Sequence, residues 1–262
     1  MNVQATNVPE AFATLNQLLG NQKVQSNGWL ECINTNIEIQ CPWQRVATVR
    51  NDPIAFVPYM ALQWAWYSWG VQNTELKKYY PQAWERAQKG DVNSNYGQYV
   101  WDEGQFQHCF KLLRQDPDSR RAMIMFNRRE VAMSGTNDHI CTTSLQFLLR
   151  ERKLNLITTM RSNELNFGFR TDAVFFTMLQ EIMAALLGVD MGIYCHNAGS
   201  LHVKPDQVTD KHVTHIEQPR FNPLELSDML GLVNFFDEDY SFETSPFELT
   251  AHLQHDLRFF KS

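Results

Sequence analysis

The chain has 262 residues, 44% hydrophobic and 12% aromatic, which is enough apolar material for one large core and too much for a disordered chain. A formal net charge of -6 excludes a generally basic nucleic-acid-binding surface but leaves room for a local basic pocket around one phosphate. The N-terminal run MNVQATNVPEAFATLNQLL has no basic segment ahead of a long apolar one, and Cys32, Cys41, Cys109, Cys141 and Cys195 include no CxxC pair, so neither a signal peptide nor a disulfide framework is read. The expectation is a soluble, cytoplasmic protein with free thiols, without membrane or nucleic-acid partners, forming one domain over 1–262.

In chain order, Glu10 to Leu19 reads as a short amphipathic helix stopped by Gly20. Pro58 to Trp69 is aromatic-rich and reads as a buried helix ended by Gly70. Phe106 to Arg114 is a third helix, closed by the turn signal Asp116-Pro117-Asp118, and Ala122 to Phe126 fits a buried strand. The segment 143–161 alternates or runs apolar on both sides of the polar turn Glu151-Arg152-Lys153, which predicts a β-hairpin. A long helix follows, DAVFFTMLQEIMAALL, with Thr171 or Asp172 able to cap it and Gly188 ending it. Gln180 and Glu181 make that stretch too polar to span a bilayer. Gly192 to Val203 reads as a strand. Helices and strands intermingle without regular βαβ spacing, so an α+β fold is expected.

Four features carry candidate chemistry. Arg120-Arg121, before a strand, can form a forked anion site, since guanidinium groups bind phosphate through paired N–H bonds; a solvated surface pair is the alternative. Cys141, between His139 and Thr142 at a strand start, can be a nucleophile if a positive charge lies near, or else a small core residue. MRSNELNFGFRTD (160–172) crowds polar groups between a strand and a helix, as binding loops and plain connections both do. Cys195-His196 with His202 lacks the ligand number and spacing of a zinc site, so no metal is expected. Dinucleotide, P-loop and zincin motifs are absent from the sequence.

Together these segments resemble the thymidylate synthase family, most closely its phage branch of deoxycytidylate hydroxymethylases. The matching runs are WAWYSWG (64–70), NSNYG (93–97), DPDSRR (116–121), CTTSLQF (141–147), MRSNELNFGFRTD (160–172) and AGSLHV (198–203). The resemblance implies a mixed β-sheet covered by helices and a sheet-to-sheet homodimer with shared active sites. It also implies a one-carbon transferase that uses 5,10-methylenetetrahydrofolate as cosubstrate on a pyrimidine nucleoside monophosphate, in the cytoplasm, which for the phage branch is that of an infected cell. By the same likeness Cys141 is the nucleophile that adds to C6, and Arg161 contacts phosphate and lowers the thiol pKa. Arg120 and Arg121 are lent to the partner's phosphate, Ser162 also binds phosphate, and His202 contacts the sugar. Tyr96 belongs to a proton network; Trp84, Glu164 and Gly168 belong to the folate side.

Asp172 stands where thymidylate synthases have Asn, and the phage branch shares the Asp. A carboxylate accepts from the 4-amino group of cytosine and, with one proton shared, also binds N3; the same residue could simply cap a helix. The expected reaction is therefore dCMP to 5-hydroxymethyl-dCMP. Its alternatives are C5 methylation of dCMP, hydroxymethylation or methylation of dUMP or CMP, or a catalytically impaired nucleotide-binding homologue. The last is motivated by Gln63, which aligns with a family glutamate and cannot ionise. Other departures are Glu164 for aspartate, Ile140 for proline, Thr142 for histidine and Lys204 for tyrosine. Segment 28–39 also lacks the basic residue of the family's phosphate loop, a role for which Arg45 or Arg50 is available.

Overall fold

The computed structural model describes residues 1–49, 63, 67, 95–133, 135, 138–208 and 213–215. Trp84, Arg50 and most of the expected helix from Pro58 to Trp69 lie outside the described residues; Gln63 and Tyr67 of that helix are described, and both are helical.

The fold is α+β, as expected, on a mixed sheet. Its strands are β1 (Asn2–Ala5), β2 (Leu30–Ile39), β4 (Met123–Met125), β5 (Thr142–Arg150), β6 (Lys153–Met160), β7 (Asn163–Glu164) and β8 (Asp190–Val203). They run β1-β2-β8-β6-β5-β4 across the sheet, with β7 also paired to β8. β3 (Ala47–Val49) and β9 (Val213–His215) form a separate antiparallel pair. The β5–β6 hairpin has a two-residue loop, Glu151-Arg152, with φ of 51° and 59°, and Lys153 already belongs to the strand. That left-handed pair is the turn that follows strand twist, here built without glycine. Arg152 secures it through Nη2 to Gly188 O at 3.1 Å.

Helix α4 (Arg170–Leu187) packs on β6 and β8 and is buried on every side from Arg170 to Ala184, which explains its nearly uniform apolarity. The two polar residues at its centre, Gln180 and Glu181, have partners. Gln180 Nε2 donates to Leu154 O at 2.8 Å, where the β6–β8 register slips, and Glu181 forms a buried ion pair with Arg45. Asn155 fills the same slip, with Ile193 N donating to its Oδ1 at 3.0 Å. Helix α1 (Val8–Gly20) begins two residues earlier than expected because Asn7 caps it, accepting from Glu10 N at 2.9 Å; Gly20 is its last residue and not its stop. Helix α2 (Gln105–Gln115) and the short α3 (Arg129–Ala132) flank β4.

Neither Thr171 nor Asp172 caps α4. A π-helical turn, Leu165–Phe169, runs straight into it, so Asp172 lies inside the first turn. The cap belongs to Glu164, whose carboxylate accepts from Asn166 N, Phe167 N and Gly168 N at 2.9, 2.6 and 3.4 Å. Segment 30–39 is strand β2 rather than a loop. Arg45 is buried against Glu181, which removes it as a phosphate ligand.

Candidate active site

Cys141 enters β5 beside the end of β6, where Thr142 pairs with Met160 and Arg161 N donates to Cys141 O at 2.9 Å. The Arg161 side chain reaches back along the same segment, with Nε to Ile140 O at 2.9 Å and Nη2 to His139 O at 3.0 Å. One guanidinium therefore pins the two carbonyls that lead to the thiol. Gly199 lets the Arg161 backbone lie close to β8, since a Cβ there would stand 2.9 Å from Arg161 O. Cys141 Sγ is half-buried and lies 3.9 Å from His139 O.

The thiol sits above its ordinary pKa. Burial is the chief cause, and Asp172 and Asp138 push the same way while Arg161 pulls down. Arg161 thus has the expected sign of effect, but desolvation outweighs it. Asp172 is 9% exposed, and burial raises its carboxyl to about 7 against the pull of Asn163, whose Nδ2 donates to Oδ2 at 2.8 Å. Asp172 also raises Tyr96, a buried phenol held well above its usual range mainly by desolvation, with Cys141 adding to the effect. Cys141, Asp172, Tyr96 and Arg161 therefore form one electrostatic cluster.

Tyr96 stacks on Tyr67 at 5.3 Å between ring centroids and on Phe176 at 6.0 Å. Gln63 Nε2 donates to Tyr67 Oη at 3.2 Å, so the amide reaches the cluster's aromatic wall. Gly97 lets this wall close, because any Cβ there would collide with Tyr67 O. Glu164 caps the π-helical turn that leads to Asp172 and Gly168 lies in it; a Cβ on Gly168 would stand 3.0 Å from Asn163 Nδ2. His202, on β8, meets Trp29 edge-on at 5.0 Å, and its Nδ1 is 3.4 Å from Ser200 Oγ. Ser162 is half-buried between β6 and β7.

Arg120 and Arg121 are apart from this cluster in the single chain. Both are exposed on the turn before β4, and Arg121 makes a loose contact of 3.7 Å with Asp116.

Three residues of the site's inner wall were not assigned to the site from sequence, His196 having been weighed there only as a metal ligand. His196 Nε2 is 3.1 Å from Asn163 Oδ1, and its Nδ1 is 2.8 Å from Tyr194 Oη. Tyr194 and His196 are fully buried and Asn163 nearly so. The alternation in IYCHNA placed Tyr194 and His196 on one strand face together, and two polar rings on a buried face was the signal available.

The family model described as Thymidylate synthase matches residues 61–252. The chain is 35% identical over 139 residues to deoxycytidylate 5-hydroxymethyltransferase of Enterobacteria phage T4, a match covering 47% of this chain and 56% of that protein. It is 33% identical over 137 residues to deoxyuridylate hydroxymethyltransferase of Bacillus phage SP01, covering 51% of this chain and 36% of the other. The chain thus spans about half the length, or less, of these curated relatives. The fold is similar to that of thermostable thymidylate synthase A from Bacillus subtilis, with a TM-score of 0.59, 17% identity, and coverage of 76% of this chain and 80% of that one. Motif order, fold and family match agree, and the chain belongs to the thymidylate synthase family.

Proposed function

We propose that the protein converts dCMP to 5-hydroxymethyl-dCMP, with 5,10-methylenetetrahydrofolate as cosubstrate. The observation that carries this reading is the buried Asp172, with a carboxyl poised at about 7, in the same electrostatic cluster as Cys141. A carboxyl with that pKa can hold or release a proton near neutrality. That suits cytosine, whose 4-amino group donates while N3 needs a shared proton.

Cys141 Sγ, as thiolate, adds to C6 of the ring and leaves C5 electron-rich, so that C5 can bond to a one-carbon unit. Methylenetetrahydrofolate supplies that carbon at the methylene level. Loss of the C5 proton and release of tetrahydrofolate leave an exocyclic methylene, to which water adds OH. The sulfur departs from C6 as the ring double bond reforms. Asp172 holds the 4-amino group and N3. Tyr96, aligned beside both reacting groups, holds ordered water, and Arg161 with Ser162 meets the phosphate. Arg120 and Arg121 serve the site of a partner subunit, which fits their exposure and distance from the local cluster; His202 meets the sugar.

Glu164 fits a role toward folate. A carboxylate offers about four acceptor positions, and three amide N–H groups fill three, which leaves one for a pterin N–H. Gly168 serves this side by keeping the turn narrow beside Asn163, and Trp84 is the aromatic candidate from the sequence.

A second reading, a nucleotide-binding homologue with impaired catalysis, is favoured by Gln63, whose amide donates to Tyr67 and cannot take a proton as a base. Incubation with methylenetetrahydrofolate and dCMP, dUMP or CMP, followed by mass analysis, tests the proposal. A gain of CH2O on dCMP supports it. A gain of CH2, with dihydrofolate formed in step, means methylation, and no product with any of the three favours the second reading.

A further inference from the structure

The three buried groups behind Asp172 form a line of hydrogen bonds whose direction is dictated by chemistry. An ionised carboxylate only accepts, so Asn163 must turn its NH2 to Asp172 Oδ2, as observed at 2.8 Å. Its Oδ1 is then left facing His196 Nε2 at 3.1 Å and can only accept, so that nitrogen must carry the hydrogen. A neutral ring with hydrogen on Nε2 has a bare Nδ1, and Tyr194 Oη at 2.8 Å is placed to donate to it. His196 is neutral here, because complete burial drives its pKa down to about 3. Phe169 stands edge-on to the ring at 5.1 Å and keeps it from turning.

We infer that Tyr194 and His196 are positioning residues that fix the Asn163 amide and so hold Asp172 Oδ2 as a permanent acceptor, directing Asp172's exchangeable proton to Oδ1, the oxygen that shares it with N3 of the base. A proton on Oδ2 would weaken that oxygen as the acceptor of the Asn163 amide, and one aimed at Asn163 would require all three bonds to reverse inside a packed wall. Oδ1 takes no hydrogen bond from the described residues and is left for N3, while the second lone pair of Oδ2 is left for the 4-amino group. The inference rests on the reading of Asp172 as the base-selecting group, and it deepens that reading. It extends base choice from one residue to a wall two strands deep. Gly168 belongs to the same device, because a Cβ there would crowd the Asn163 amide at 3.0 Å.

The experiment has two arms. Nitrogen-15 NMR of histidine-labelled protein at about pH 8, where Asp172 is largely ionised, reads the tautomer of His196 directly. Hydrogen on Nε2 is expected; hydrogen on Nδ1 overturns the inference, whatever the protein catalyses. The second arm compares kcat/KM for dCMP and dUMP in His196→Phe, Tyr194→Phe and His196→Gln, with cooperative melting as the check on folding. His196→Phe leaves Asn163 Oδ1 unpaired, and the preference for dCMP is expected to fall about tenfold. His196→Gln can donate to Asn163 and accept from Tyr194, and is expected to stay within about threefold of the parent. A folded His196→Phe protein with unchanged preference overturns the inference. If that variant does not fold, the Tyr194→Phe protein, which loses one oxygen and keeps its ring, decides in the same way. If the parent acts on neither nucleotide, the proposed function fails, and the tautomer still decides the direction of the relay.

Discussion

At the scale of single residues, Asp172 and Cys141 carry the account, and each gives a sharp expectation. Asp172→Asn replaces an acceptor pair by one donor and one acceptor, and is expected to move preference from dCMP toward dUMP by about a hundredfold or more. Competition kinetics with both nucleotides check it, and an unchanged ratio removes Asp172 from base selection. Cys141 is the second case. Burial holds its thiol above the ordinary range while Arg161 opposes that, so Arg161→Ala is expected to raise the thiol pKa further. Rates of iodoacetamide alkylation against pH measure this, and a curve shifted to lower pH contradicts it. Both residues were legible in the sequence because each sits in a motif whose neighbours are also distinctive. Asn163, His196 and Tyr194 were not, since a buried polar side chain reveals its purpose only through the partner it meets, and these partners come from separate elements.

At the scale of elements, what could be read was periodicity. The β5–β6 hairpin and helix α4 announced themselves by alternation and by a long apolar run, and both formed nearly as expected. Strand β2 was missed because the alternation in LECINTNIEI breaks at Asn34, whose φ is 55°, so that buried positions shift from Leu30 and Cys32 to Thr35, Ile37 and Ile39; pairing with the long β8 decides its conformation. The start of α4 was misplaced because Glu164 caps a π-helical turn that no local pattern foretells. The register slip between β6 and β8 is equally invisible in sequence, yet it explains why a buried helix contains Gln180. Gln180→Leu removes the donor to Leu154 O and leaves strand carbonyls buried without it, and about 1–3 kcal/mol of stability is expected to go. Urea denaturation measures this; an equally stable variant means that the slip needs no donor from the helix.

At the scale of the whole molecule, two features point outward. One face of the sheet is covered by α1 and α4, and the other, bearing Ile157, Ile193, Cys195 and Asn197, is only half-buried in the single chain. That face suits the sheet-to-sheet homodimer proposed here, and Arg120 and Arg121 lie exposed, as donors to a partner's site need to be. Mixing inactive Cys141→Ala protein with an inactive Arg120→Ala/Arg121→Ala protein is then expected to restore about a quarter of parental activity, since half the dimers are mixed and each has one intact site. No restoration after proven subunit exchange contradicts shared sites.

Stability of the whole fold also has a pH signature. Asp172 has a folded pKa raised from 3.8 to about 7, so the native state binds more protons than the unfolded one in that interval, and Asp172's contribution falls as pH rises through it. His196 has a folded pKa lowered from 6.5 to about 3, so its contribution is full above 6.5 and is lost as pH falls toward 3. The two oppose each other over most of this span. Asp172→Asn removes only the first, so its denaturation midpoint relative to the parent is expected to be higher at about pH 8 than at about pH 4. The opposite order contradicts the buried, partly protonated carboxyl.

Everything in the mechanism requires sulfur to attack C6 and thereby loosen the hydrogen on C5 of cytosine. The direct measurement is release of tritium into water from 5-tritiated dCMP with methylenetetrahydrofolate, for the parent and for Cys141→Ala. The account predicts release by the parent, in step with 5-hydroxymethyl-dCMP, and none above background in the variant. Release that survives loss of the thiol, or its absence in a parent protein that binds dCMP, contradicts it.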